Sequence, residues 1–155
     1  MGRAVRKRIL RHDIIRDIIR QHGIRTQRDL AARLQAEGFD CTQATISRDI
    51  GEMGLVKSLE GYYELPEDMR LQRLVNEMVE EIYTAGNLVV VKTFSGGAPS
   101  VAGAIDQVGL LGSLGTVAGD NTIMIAARSE EDALHVENAL NNLRYRSKRE
   151  YSKPL

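Results

Sequence analysis

Residues 42–49 constrain the fold most strongly, because their pattern fits a short helix that has one anchoring side and one open side. Thr42 is a favourable N-cap, and Ile46 and Ile50 lie four residues apart on the same side of such a helix. Polar side chains project from the other side, namely Gln43, Ser47 and Arg48. The segment therefore predicts a helix that presents polar groups to something outside the protein.

The chemistry of that open side is suited to reading DNA. A glutamine such as Gln43 can form two hydrogen bonds with adenine, and an arginine such as Arg48 can fork onto O6 and N7 of guanine. The hydroxyls of Thr45 and Ser47, together with the helix N-terminus, can hold phosphate. An ordinary amphipathic helix with a solvated polar side is the alternative interpretation, and the flanking sequence decides between the two.

Two further helices are predicted before this segment. Four isoleucines between residues 14 and 19 form one apolar helical stripe, and Gly23 ends that helix. A second helix begins after Thr26, which is a favourable N-cap, and ends at Gly38. The three helices in succession indicate a helix-turn-helix arrangement.

A β-hairpin is predicted directly after the third helix. Residues 55–59 and 62–65 are strand-like segments on either side of a short turn. Lys57 lies on the first of these strands and is a further candidate for a DNA contact. Three helices and a two-stranded wing make residues 1–65 a predicted winged helix-turn-helix domain.

A basic arm leads into the first helix. Residues 3–11 carry five Lys and Arg and no acidic residue, and Arg6 and Arg8 are its candidate phosphate contacts. Residues 1–60 contain 12 Lys and Arg against 8 Asp and Glu, so their net charge is +4 although the whole chain has a formal net charge of +0. Solubilising charge is the alternative explanation of the arm. The agreement of arm, helices and wing favours DNA binding.

The rest of the chain is predicted to form a second domain after a short polar linker at residues 66–70. Apolar residues from Leu71 to Ile82 follow helical spacing. Later patterns predict a strand, a helix, two strands and a last helix capped by Ser129. The order αβαββα predicts a small domain over residues 71–155, near the size at which oligomerisation commonly supplies missing burial. The chain is thus expected to be α/β overall, of the α+β type.

Several classes of protein are excluded by simple counts. Cys41 is the only cysteine, which excludes an internal disulfide and fits a reducing cytosol. No apolar run is long enough for a signal peptide or a membrane span, so we expect a cytoplasmic protein without a membrane partner. The three histidines are scattered without metal-ligand spacing, so we expect surface positions and no metal site for His12, His22 and His135.

Four segments together resemble one known family over almost the whole chain. They are residues 26–30 (TQRDL), 42–49 (TQATISRD), 54–57 (GLVK) and 115–122 (GTVAGDNT), and the family is that of the bacterial arginine repressors. The resemblance implies a winged domain that reads AT-rich operators, with Gln43, Ser47 and Arg48 in contact with the double-stranded DNA. It also implies a C-terminal domain that forms trimers, which stack into a hexamer with L-arginine bound between the trimers. Asp120 and its neighbour would face that ligand.

The sequence departs from the family at this ligand site. The family motif ends in Gly-Asp-Asp-Thr, whereas Asn121 here replaces the second carboxylate by an amide. The position after Ala98 is usually Gln or His, whereas Pro99 offers neither a polar side chain nor a backbone N–H. Paired acids suit the guanidinium and ammonium groups of arginine, so a site of Asp120, Asn121 and Pro99 carries less charge for this effector. Residues 119–122 alone also fit a tight turn without any ligand.

The predicted function is that of a hexameric, sequence-specific transcriptional regulator of arginine metabolism with L-arginine as co-repressor. An enzyme is the first alternative, but no nucleophile lies beside a histidine and no phosphate-binding glycine loop is present, so catalysis is not expected. An arginine-independent DNA binder or accessory subunit is the second alternative, which Pro99 and Asn121 support. The basic tail over residues 144–153 is either solubilising sequence or an additional DNA or subunit contact.

Overall fold

The computed structural model describes the backbone of residues 2–150 and the side chains of residues 2–144. Beyond Arg144, the side chains of the predicted basic tail lie outside the described residues. The chain divides into two compact units, one ending at Pro66 and the other beginning at Glu67. Among the described residues, no helix is long and apolar enough to span a membrane.

The first unit contains three helices and a two-stranded hairpin, in the order predicted for a winged helix-turn-helix. The helices are α1 (Arg3–Gln21), α2 (Gln27–Ala36) and α3 (Gln43–Met53), followed by strands β1 (Val56–Lys57) and β2 (Tyr63–Glu64). The strands pair antiparallel. The predicted basic arm is itself helical, because its Arg, Lys and Ala residues are good helix formers and α1 already begins at Arg3.

Local sequence signals set the limits of α2 and α3. The hydroxyl of Thr26 accepts the N–H of Asp29 at 3.0 Å, and that of Thr42 accepts the N–H of Thr45 at 3.2 Å. Gly54 ends α3 in the left-handed conformation, with φ at 65°. The helices and the hairpin share one core, whose largest fully buried side chains are Ile15, Leu30, Leu34, Ile46 and Leu65.

The second unit is an α+β domain with one antiparallel sheet. Its helices are α4 (Pro66–Met78), of which only Pro66 belongs to the first unit, α5 (Ala98–Val108) and α6 (Glu130–Glu150). Its strands are β3 (Val79–Ala85), β4 (Leu88–Thr93), β5 (Ser113–Ala118) and β6 (Thr122–Ala127), arranged in the order β3-β4-β6-β5. The inward side chains of β4 and β6 pack with those of all three helices in one core, so the helices cover one side of the sheet.

The strand β3 corrects the predicted order, which becomes αββαββα. The helical stripe expected to reach Ile82 ends at Met78. Residues 79–85 instead pair with β4 through a tight turn at Gly86, whose φ is 59°. Val79 and Ile82 would point to opposite sides of a regular strand, but a bulge between Val79 and Glu81 turns both towards the core. The same two apolar residues therefore fit a helix and a bulged strand.

Residues 66–70, predicted to be a linker, are helical and begin α4. Pro66 is the first residue of this helix, where its fixed φ fits and its missing N–H costs nothing. Glu67 and Asp68 follow in the first turn, where the helix dipole favours acidic side chains. The features that suggested a linker are thus helix-start signals.

Candidate DNA-reading helix and effector site

The helix α3 presents an open polar side, as the sequence predicts. The side chains of Gln43, Ser47 and Arg48 are exposed, whereas Ile46 on the opposite side is only 1% exposed. Thr45 differs from these three. It is half-buried, and its hydroxyl lies 3.0 Å from that of Thr42, so the structure engages it in the N-cap.

The three candidate cations outside α3 lie in different surroundings. Arg6 is exposed on the first turns of α1, where every residue from 2 to 10 is exposed. The Arg8 guanidinium lies 3.7 Å from the carboxylate of Glu52 on α3. The ammonium of Lys57, on the wing, lies 5.1 Å from the centre of the Tyr63 ring. All three side chains are open to solvent, which a contact with DNA phosphate requires.

The structure also shows an ionic cluster that joins α3 to α1 and that sequence reasoning missed. Asp49 is 1% exposed, and its two carboxylate oxygens accept hydrogen bonds from Nε and Nη2 of Arg11 at 2.5 and 2.8 Å. His12 Nε2 lies 2.9 Å from Asp49 Oδ1. Arg11, predicted as part of the exposed basic arm, and His12, predicted at the surface, are thus half-buried residues that contact Asp49. The sequence held one indication that Asp49 faces the interior, because its position in α3 lies on the same side as Ile46 and Ile50.

The electrostatics of this cluster favour its charged form. Burial of Asp49 opposes ionisation, but the hydrogen bonds from Arg11 and His12 and the charge of Arg11 outweigh it, so the pKa of Asp49 lies below its ordinary value. The hydrogen bond to Asp49 raises the pKa of Arg11. An ionised Asp49 therefore forms a two-point pair with a charged Arg11 at neutral pH.

This pair predicts an acid-sensitive contribution to stability. Because the pKa of Asp49 is lower in the folded than in the unfolded chain, its contribution is complete above the unfolded value of about 3.9. It is lost as the pH falls through the lower folded value. We expect Asp49→Asn to lower stability at neutral pH and to flatten this acid limb, measured by urea unfolding from about pH 7 to about pH 3.

The exposed carboxylate of Asp13, which pairs with Arg16 on α1, supplies a matched control. We expect Asp13→Asn to follow the wild-type curve, since an exposed ion pair contributes little. Parallel loss of stability in the wild type and in Asp49→Asn over the acid range would contradict the assignment.

The same cluster contains the one group of candidate metal ligands among the described residues. Donor atoms of His12, Asp49 and Glu52 all lie within 4.8 Å of one another. Arg11 already contacts both oxygens of Asp49 and supplies the positive charge that a metal ion would bring. The arrangement therefore suits a guanidinium–carboxylate clamp between two helices.

The three candidate effector residues come together in the second unit. Asp120 and Asn121 lie in the turn between β5 and β6, and Pro99 lies at the start of α5. The N–H of Ala98 donates to the carbonyl of Asp120 at 3.2 Å, which holds that turn against the N-terminus of α5. All three residues are exposed. They form one open surface on which a ligand would be covered from one side only.

The side chains of this effector surface include a residue that the sequence did not single out. Ser95 Oγ donates to Asp120 Oδ2 at 2.7 Å. The side-chain oxygen of Asn121 accepts a hydrogen bond from the hydroxyl of Thr122 at 3.0 Å. The backbone carbonyl of Asn121 accepts the N–H of Thr93 at 2.9 Å. Asp120 is therefore the carboxylate that this surface offers to a cation. No local pattern links Ser95 to a turn 25 residues away.

The comparisons with known proteins cover both units. The family model described as "Arginine repressor, DNA binding domain" matches residues 6–71, and "Arginine repressor, C-terminal domain" matches residues 75–142. The arginine repressor of Carboxydothermus hydrogenoformans is 46% identical over 135 residues, which is 80% of this chain and 90% of that protein. That of Koribacter versatilis is 40% identical over 144 residues, covering 88% and 97% respectively. The chain therefore belongs to the arginine repressor family, a family of DNA-binding regulators of arginine metabolism and not of enzymes.

Proposed function

We propose that the protein regulates transcription of genes of arginine metabolism by binding operator DNA when L-arginine is present. The observation that carries the proposal is the exposed polar side of α3, held by buried anchors within a winged unit. Genomic DNA as the target implies that the protein acts in the cytoplasm. The match of the C-terminal family model favours an arginine-responsive protein over the arginine-independent alternative, which only Asn121 and Pro99 support.

In the proposed complex, α3 enters the major groove and reads bases. Arg48 forks onto guanine, Gln43 pairs with adenine, and Ser47 holds phosphate near the helix N-terminus. Arg6 and Lys57 contact phosphates on either side. Arg8 exchanges the carboxylate of Glu52 for a phosphate, at small cost because this pair is long and exposed.

Replacement of Arg48 tests the reading helix. We expect Arg48→Ala to weaken binding to an operator by about 1–3 kcal/mol, because the lost guanidinium fork distinguishes guanine from other bases. Binding to random DNA should change much less. The measurement is a fluorescence-anisotropy titration on both DNAs, with the operator selected by the wild-type protein from a random library.

The matched control for that experiment is Arg6→Ala, on the exposed first turns of α1. We expect this variant to bind operator and random DNA with equally reduced affinity. The slope of log affinity against log salt concentration should become shallower by about one. Equal losses on operator and random DNA for Arg48→Ala would limit Arg48 to a phosphate contact.

A homo-oligomer, from trimer to hexamer, is part of the proposal. The uncovered side of the second unit's sheet carries an in-register apolar row across all four strands, consisting of Tyr83, Val90, Met124 and Val117. Tyr83 and Met124 are each 51% exposed, and Val117 is 75% exposed. Contiguous apolar surface of this kind is typical of subunit interfaces. Further copies of the chain would remove it from water.

The proposed effector is L-arginine, bound at the surface formed by Asp120, Asn121 and Pro99. Asp120 supplies the counter-charge for a guanidinium or ammonium group, and Asn121 supplies a neutral acceptor. Because this surface is open in the single chain, a second subunit would complete the site. Arginine binding and assembly are then thermodynamically linked.

A further inference from the structure

Two helices with different proposed roles in DNA binding are joined by a ladder of ion pairs and histidine contacts. We call this ladder the α1–α3 clamp, and it consists of Arg8, Arg11 and His12 on α1 with Asp49 and Glu52 on α3. Its centre is the buried carboxylate of Asp49, which three donor atoms of α1 contact. The planar guanidinium of Arg11 meets both oxygens of that carboxylate, so the pair has a defined direction as well as a defined distance.

The remaining anchors of α3 lack this directionality. Ile46 and Ile50 hold the helix against the core through apolar contact, which depends on buried area and hardly on angle. A rotation of about 10° around the axis of α3 moves a side-chain atom about 6 Å from that axis by about 1 Å. A two-point hydrogen bond between arginine and guanine does not tolerate such a shift. Reading of bases by α3 therefore requires a directional restraint on its rotation.

The clamp lies where it can supply that restraint. Asp49 directly follows Arg48 in α3, and its side chain points inward whereas that of Arg48 points outward. A restraint on the Asp49 side chain therefore also sets the direction in which the Arg48 side chain leaves the helix. Arg11 directly follows the exposed basic turns of α1, so its pair with Asp49 connects α3 to those turns. Phosphate contacts from α1 and base contacts from α3 are thereby held in one spatial relation.

We infer that Asp49 and Arg11 are positioning residues for DNA recognition, which fix the orientation in which α3 presents Arg48 to the bases. The inference rests on the proposed reading of bases by Arg48. It predicts that damage to the clamp lowers discrimination between operator and random DNA while the fold, the charge and the phosphate contacts persist. If the ion pair were purely structural, its loss would lower folding stability and leave discrimination between operator and random DNA unchanged.

The test uses the full chain with Arg11→Lys, which keeps the positive charge and removes the fork. We expect operator affinity to fall about tenfold, which is the scale of one charge-assisted hydrogen bond. Affinity for random DNA and its salt dependence should remain as in the wild type. Circular dichroism at the assay temperature establishes that the variant is folded, and Asp13→Asn on the same helix is the control for a lost exposed pair.

A double-mutant cycle with Arg48→Ala separates positioning from stability. If Arg11 acts mainly through Arg48, then Arg11→Lys should cause a clearly smaller loss of discrimination in the Arg48→Ala background than in the wild type, and the remaining loss passes through Gln43 on the same helix. Additive losses, or unchanged discrimination in Arg11→Lys alone, would overturn the inference. If Arg48→Ala itself leaves discrimination unchanged, the proposed reading of bases fails. A loss in Arg48→Ala with none in Arg11→Lys overturns the positioning role alone.

Discussion

Asp120→Asn should abolish binding of L-arginine at physiological concentrations. The substitution keeps the size of the side chain and removes the carboxylate that the effector surface offers to a cation. A guanidinium or ammonium group held at a subunit interface without its counter-charge loses about 2–5 kcal/mol. Isothermal titration calorimetry of the wild type and of the variant measures the loss directly.

Two further variants sharpen this experiment. We expect Asn121→Asp, which restores the acidic pair of the family motif, to tighten arginine binding, because it adds a second counter-charge. Asp132→Asn is the matched control, since Asp132 pairs with Arg128 in the same unit, away from the effector surface. Unchanged arginine affinity in Asp120→Asn would show that the ligand binds elsewhere.

The combined behaviour of these variants also addresses the arginine-independent alternative. If neither the wild type nor Asn121→Asp binds arginine, while both bind operator DNA as oligomers, Asp120 belongs to a structural turn. The hydrogen bond from Ser95 to Asp120 and that from Ala98 to its carbonyl would then serve to hold β5 and β6 against α5. The protein would in that case bind DNA constitutively or answer to another effector.

Met124→Glu should dissociate the proposed oligomer. Met124 lies opposite both Val90 and Val117 in the apolar row, so a carboxylate there would be buried without a partner in any interface that covers the row. Sedimentation velocity at micromolar concentration measures the change in assembly. We expect operator affinity to fall by about 10²–10⁴, because linked reading units bind far more tightly than separate ones.

The control for this variant is Leu134→Glu on α6. Leu134 is 52% exposed, close to the 51% of Met124, but it lies on a helix and not on the uncovered side of the sheet. We expect Leu134→Glu to sediment like the wild type. A Met124→Glu protein that also retains the wild-type sedimentation coefficient would exclude the apolar row as the subunit interface.

The reading helix and its caps could be predicted because their signals are local. The N-cap hydroxyls of Thr26 and Thr42 bond to backbone N–H groups three residues onward, and the αL glycine Gly54 acts within its own turn. The exposure of Gln43, Ser47 and Arg48 follows from helical periodicity once Ile46 is recognised as the anchor. The caps form within single turns, so a short stretch of sequence contains all of their partners.

The strand β3 and the α1–α3 clamp were decided by the tertiary structure. Val79 and Ile82 fit a helix equally well until β4 offers a paired strand and a bulge turns both residues inward. Arg11 and Asp49 lie 38 residues apart, and Ser95 and Asp120 lie 25 apart, so no sequence window contains both partners. Local signals set where α2 and α3 begin and which polar side chains of α3 are exposed, because those free energies arise within one turn. Contacts between distant segments, such as Arg11 with Asp49, contribute free energy only after the chain has brought those segments together. They can therefore be identified only in the folded structure.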